Sequence, residues 1–143
     1  MTEIMPKTPY DLLGGEQAVL SLVDRFYFFM DTLPEAAGIR AIHAKSLAGA
    51  RNKLFKFLSG WLGGPDLFIQ EYGHPRLRQR HFPFAIGTAE RDQWMLCMNK
   101  ALNEMAMDAV FRENLSLSLQ QLATHMINAD TGGRTSGREG GAD

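Results

Sequence analysis

A chain of 143 residues and 16.0 kDa is long enough for one domain and too short for two of ordinary size. With 45% hydrophobic and 22% charged residues it has the material for a core and is not a disordered polymer. Fifteen Lys and Arg stand against 16 Asp and Glu, so no global positive charge draws it to nucleic acid. The single cysteine, Cys97, cannot form an internal disulfide, and with no CxxC or Cys/His pairing it suggests a reducing, cytoplasmic setting rather than a structural zinc site. Neither an export signal nor a membrane span is expected, because no basic region precedes a long apolar stretch near Met1 and no 20-residue window is free of charge.

Along the chain, apolar residues recur at helical intervals. After the pair Gly14 and Gly15, Val19, Leu22, Val23, Phe26 and Met30 share one side, Tyr27 borders it, and Phe28 and Phe29 widen it toward a second neighbour or a partner. Pro34 can open a short helix over 34–42. Ser46 is the expected cap of the next, with Leu47, Ala50, Leu54, Phe57, Leu58 and Trp61 on its apolar side and an end before Gly63, Gly64 and Pro65. From Asp66 to Ile86 the pattern breaks, leaving a turn or two of helix in DLFIQEY and a segment between Pro75 and Pro83 rich in Arg and His. Thr88 is the expected cap of a helix with Trp94, Cys97, Met98, Ala101, Leu102, Met105 and Ala106 as its band. A last helix is predicted from about Arg112 to Asn128 on Leu115, Leu119, Leu122, Met126 and Ile127. Residues 131–143 hold five glycines and no large apolar side chain, the composition of a disordered tail. The reading is an all-α domain over 10–130 behind an N-terminal extension of residues 1–9, with about three long helices, several short ones and a broken polar middle.

The familiar catalytic motifs are missing. GWLGGP lacks the GK[ST] of a phosphate loop and follows a helix, HExxH and the serine elbow are absent, and no two of His43, His74, His81 and His125 are spaced for one helical turn. The informative histidine is His81, in HPRLRQRHFPF. Arginines precede it and Phe82, Pro83 and Phe84 follow, a placement that suits an imidazole on haem iron, apolar rings against the macrocycle and cations at the propionates. A turn-capping histidine beside a basic patch fits the same residues. Tyr27 and Trp94 carry donors that burial would leave in need of an acceptor. They reach solvent at the core edge or, if they meet in one pocket, hold a diatomic ligand between them.

The order of YDLLGG, RFY ending in Tyr27, WLGGP, GHPRLRQRHFPF and ERDQWMLCM, with thirteen residues from His81 to Trp94, resembles the group II truncated haemoglobins, the short globins with a two-over-two helical sandwich. The resemblance covers Tyr10 to about Asn128. It implies haem b, with His81 as the iron ligand and Tyr27 and Trp94 as distal donors. It places His43 at the bend before the third helix, Ala50 and Leu54 along the distal lining, and Lys53 with Arg78 or Arg80 at the propionates. The function it implies is reversible binding of oxygen, carbon monoxide or nitric oxide. The alternative is a peroxidase-like or nitric-oxide-detoxifying enzyme acting on peroxide or nitric oxide with a separate reductase, and a third is a cofactor-free helical interaction protein. A monomer or homodimer is equally compatible with the sequence, and neither nucleic acid nor membrane is an expected partner.

Overall fold

The computed structural model describes residues 7–81 and 84–128, without the side chain of Arg78. Among these residues every regular element is helical: α1 (Pro9–Leu13), α2 (Gly15–Thr32), a 3-10 turn (Pro34–Ala36), α3 (Ala37–Ala41), α4 (Ala48–Trp61), α5 (Leu67–Tyr72), α6 (Leu77–Arg80), α7 (Thr88–Asn103) and α8 (Ala109–His125). Four are long. They form two pairs, α2 with α4 and α7 with α8, joined where α2 packs on α7. This is a two-over-two sandwich of helices.

The apolar side of α2 is the centre of the core. Val19, Leu22, Val23, Phe26 and Met30 are buried as their spacing requires, and each such side chain contributes about 1.5–3 kcal/mol of transfer free energy. Tyr27 sits deeper than a border position, at 9% exposure. Phe28 and Phe29 part company: Phe29 packs against the core, whereas Phe28 is 54% exposed.

Several boundaries differ from the sequence reading, each for a local reason. Residues 34–42 divide into a 3-10 turn and a short α-helix, because Ala36 adopts φ −98° and ψ 10° between them. The N-cap of α4 is Leu47; Ser46 stands one residue too early, although its hydroxyl accepts from the Ala48 amide at 3.3 Å. Gly87, not Thr88, caps α7, and the Glu90 carboxylate reaches back to the Gly87 amide at 2.7 Å. Helix α7 ends at Asn103, so Met105 is half-buried beyond it and Ala106 is exposed. Helix α8 starts three residues before Arg112, because the Asp108 carboxylate accepts from Phe111 N at 3.0 Å. Its core row is Leu115, Leu119 and Ala123, with Met126 just past the end and Leu122 only half-buried. The glycine-rich segment 131–143 lies outside the described residues.

Helix α1 was not legible as a helix. The Thr8 hydroxyl accepts from Asp11 N at 3.1 Å, while the Asp11 carboxylate takes the Thr8 amide at 3.4 Å. It then docks on the end of α4: Tyr10 N donates to Leu62 O at 2.9 Å, and the Tyr10 ring covers Gly64 so closely that a Cβ there would stand 2.4 Å from it. Gly63, at φ +98°, closes α4. YDLLGG and WLGGP, far apart in sequence, are two sides of one contact.

Cys97 faces the core from α7 with no exposed surface, and burial pushes its thiol up to about 11. It is a packing residue kept as a neutral thiol.

Candidate functional site

Helix α6 is one turn of LRQR, and His81 follows it directly. The imidazole Nδ1 lies 2.7 Å from Leu77 O, one turn back. A carbonyl can only accept, so this nitrogen carries the proton and, in the neutral ring, Nε2 keeps its lone pair. The backbone around it is tied down from a distance. Asn128 Nδ2 donates to His81 O at 3.2 Å and to Phe84 O at 3.0 Å, Ile86 N donates to Asn128 Oδ1 at 2.8 Å, and Asn128 N donates to Ile86 O at 2.8 Å. Phe84 is 42% exposed, and Phe82 and Pro83 lie outside the described residues.

A row of rings crosses the space between α2, α3 and α7. Phe26 makes edge contacts to Tyr27 at 4.8 Å and to Trp94 at 5.1 Å between centroids, and Tyr27 meets His43 at 6.1 Å. Tyr27, His43 and Trp94 are thus brought into one contiguous set, with Phe26 linking them. Burial raises the Tyr27 hydroxyl pKa strongly, so it stays a protonated donor. Among the described residues neither that hydroxyl nor the Trp94 indole N–H has a hydrogen-bond partner, although Tyr27 is buried and Trp94 half-buried.

His43 is held in the turn after α3. The Arg40 guanidinium bridges Asp31 and the carbonyls of Ala44 and Lys45, closing the turn around it. Its Nδ1 donates to Ile39 O at 2.9 Å, and Ile39 N in turn donates to Gln93 Oε1 at 2.7 Å, which moors α3 to the helix carrying Trp94. Desolvation lowers the His43 pKa, with Arg40 and His81 as further lowering charges. The neutral ring therefore presents Nε2 as an acceptor and becomes a second donor only on protonation.

Ala50 and Leu54 are half-buried on α4 and pack against the core. Lys53, exposed on the same helix, lies 5.7 Å over the Tyr72 ring, and Arg80 lies 5.2 Å over Phe68. Phe68 and Tyr72 touch at 4.8 Å, so α5 is an aromatic shelf that draws both cations to one rim. Arg80 is further fixed by donating to Pro75 O at 2.5 Å. The side chain of Arg78 lies outside the described residues.

Gln93, the Leu77 carbonyl and Asn128 did not stand out in the sequence, and Phe26, Phe68 and Tyr72 were legible only as ordered apolar residues, not as parts of a site. Chemically the set offers two imidazoles with Nε2 uncommitted, at His81 and His43, one buried and one half-buried donor with no acceptor among the described residues, and a cationic rim. A flat, largely apolar, metal-bearing molecule with acidic substituents matches all three.

The family model described as "Bacterial-like globin" matches residues 8–128. The group 2 truncated haemoglobin YjbI of Bacillus subtilis is 37% identical over 120 residues, covering 84% of this chain and 88% of its own. Among solved structures, the cold-adapted truncated haemoglobin of the Antarctic bacterium Pseudoalteromonas haloplanktis is 51% identical with a TM-score of 0.83, covering 85% of this chain and 98% of that one. The group II 2-on-2 haemoglobin of Agrobacterium tumefaciens is 45% identical with a TM-score of 0.84, covering 89% and 98%.

Proposed function

Because this chain belongs to the bacterial-like globins, and among them to the group II truncated haemoglobins, we propose that it holds haem b through His81 Nε2 and binds oxygen, carbon monoxide and nitric oxide reversibly beside Tyr27 and Trp94. The observation that carries this reading is the pairing of a tautomer-locked imidazole with two donors that have no acceptor among the described residues. The residues fit the group: an imidazole whose Nε2 is uncommitted, half-buried apolar side chains at Ala50 and Leu54, and Lys53 with Arg80, and Arg78 two residues before it in sequence, for the propionates. When bound, haem supplies a ferrous iron with a coordination position open to a small ligand.

The protein's own contribution follows from the donors. Leu77 O aims His81 and makes it the more basic ligand. Tyr27 and Trp94 donate to a ligand that draws electron density toward itself, each such contact contributing about 1.5–3 kcal/mol. Two of them slow release by orders of magnitude. Slow release suits scavenging, sensing or redox chemistry better than bulk delivery. The lone thiol of Cys97 fits a reducing, cytoplasmic setting, and among the described residues no helix is long and apolar enough to cross a membrane. Absorption spectra of the purified protein in ferric, ferrous and carbon-monoxide-treated forms test haem, its ligand and the open position together. Spectra that do not respond to carbon monoxide would overturn the reading.

One observation favours a second reading, a peroxidase-like or nitric-oxide-detoxifying enzyme served by a separate reductase. With Nδ1 committed to Ile39 O, neutral His43 offers a lone pair at Nε2, the base such chemistry asks for. Turnover of peroxide or nitric oxide with a reductase, lost in His43→Phe, would establish it.

The same tautomer gives a pH dependence. Since burial lowers the His43 pKa, protonation and the second donor arrive only below the ordinary imidazole range. Oxygen dissociation should therefore slow by about tenfold on an acid limb whose midpoint lies below the ordinary imidazole value. His43→Phe should retain oxygen binding and lose that limb. Stopped-flow dissociation rates across pH check both, and an acid limb that persists in the variant would assign it to another group.

A further inference from the structure

Asn128 stands just beyond α8, more than forty residues after the segment it holds. Its side-chain amide is fully engaged there. The NH2 group donates to the carbonyls of His81 and Phe84, the amide oxygen accepts from Ile86 N, and its own backbone N–H donates to Ile86 O. Phe84 N also donates to His81 O at 3.0 Å, so His81, Phe84 and Ile86 are all held by a single residue. Four bonds run from this one residue to four backbone groups on three residues. Three of them depend on the amide having a donor end and an acceptor end in fixed opposition.

We propose that Asn128 is a positioning residue for the haem ligand: it holds the carbonyl side of His81 against the end of α8, while Leu77 O holds its N–H side and sets how its ring turns. This rests on the haem reading and deepens it. The ring Nδ1 and the backbone N–H of His81 both donate to Leu77 O, at 2.7 and 3.1 Å, which ties His81 to the start of α6, and the Asn128 splint fixes its carbonyl side against the end of α8. A residue of the last helix region is thereby coupled to the strength of the bond at His81 Nε2, without touching haem or ligand.

Two variants separate positioning from general stability. Asn128→Asp keeps an acceptor for Ile86 N–H but turns a carboxylate oxygen against the carbonyls of His81 and Phe84. Asn128→Ala removes all three side-chain bonds, and because Asn128 is only half-buried, water can take them up without loss of the fold. The readouts are the iron–histidine stretching band of the ferrous protein by resonance Raman, the rate of haem loss to an excess of an apoprotein acceptor, and the thermal midpoint. In both variants the band should shift and broaden and haem loss should quicken by roughly tenfold or more, as removal of an outer partner does at other metal sites, with Asp the more affected. An unmoved band in both variants would overturn the proposal, including when haem loss quickens only in step with a lowered thermal midpoint. A parent protein that takes up no haem would overturn the haem reading and this inference with it, whereas a haem-loaded parent with indifferent variants overturns this inference alone.

Discussion

Substituting glycine for His81 should strip the protein of most of its haem, and free imidazole should restore part of the ligated spectrum. Loss of an outer partner of a metal ligand costs about 10–100-fold in affinity, and loss of the ligand itself should exceed that. The variant should remain folded, because His81 is half-buried and outside the core cluster, so that imidazole enters a space of the right shape near Leu77 O. Haem titration of the apo variant with and without imidazole is the measurement. His74, exposed and ahead of Pro75, is the control. Unchanged haem affinity and an unchanged ferrous spectrum in His81→Gly would remove His81 from iron.

The second large effect concerns the two donors that have no acceptor among the described residues. Trp94→Phe deletes the indole N–H and keeps a ring against Phe26; Tyr27→Phe deletes the hydroxyl and keeps the ring between Phe26 and His43. Each should accelerate oxygen dissociation by about 10–100-fold, the worth of one charge-assisted hydrogen bond. Carbon monoxide, which carries less negative charge, should respond far less. The double variant should fall short of the product of the singles if both donors serve one ligand or each other. Stopped-flow displacement on the parent and the three variants decides. Equal responses to the two gases would assign Trp94 to cavity shape, and two silent single variants would dismiss both residues from the pocket.

The long helices were legible because burial is periodic: the α2 row from Val19 to Met30 needs nothing beyond side chains at three- and four-residue steps. Their ends were less so, since caps are decided by single groups such as the Glu90 carboxylate reaching Gly87. The candidate site was legible only in its residue types. That His81 differs from His74 follows from a carbonyl four residues back; that Tyr27 and Trp94 share Phe26 follows from how α2 crosses α7. Asn128 illustrates the limit. Its partners lie more than forty residues away, and nothing in the local sequence distinguishes an asparagine that splints a distant loop from one that ends a helix.

The docking of α1 on the end of α4 bears on the distal side in a way its place near the start of the chain conceals. The bond from Tyr10 N to Leu62 O shuts a ring of backbone, and that ring contains Tyr27, His43, Ala50 and Leu54, every distal candidate except Trp94. Closing a flexible loop of this length would cost about 3.5 kcal/mol of chain entropy, and because α2 also packs on α4 inside it, the contact between Tyr10 and Gly64 bears only part of that cost. The first helix therefore helps clasp the segment that carries these candidates rather than hanging from it. Trimming the chain past Tyr10 would relax the spacing of groups that the trimmed residues never touch.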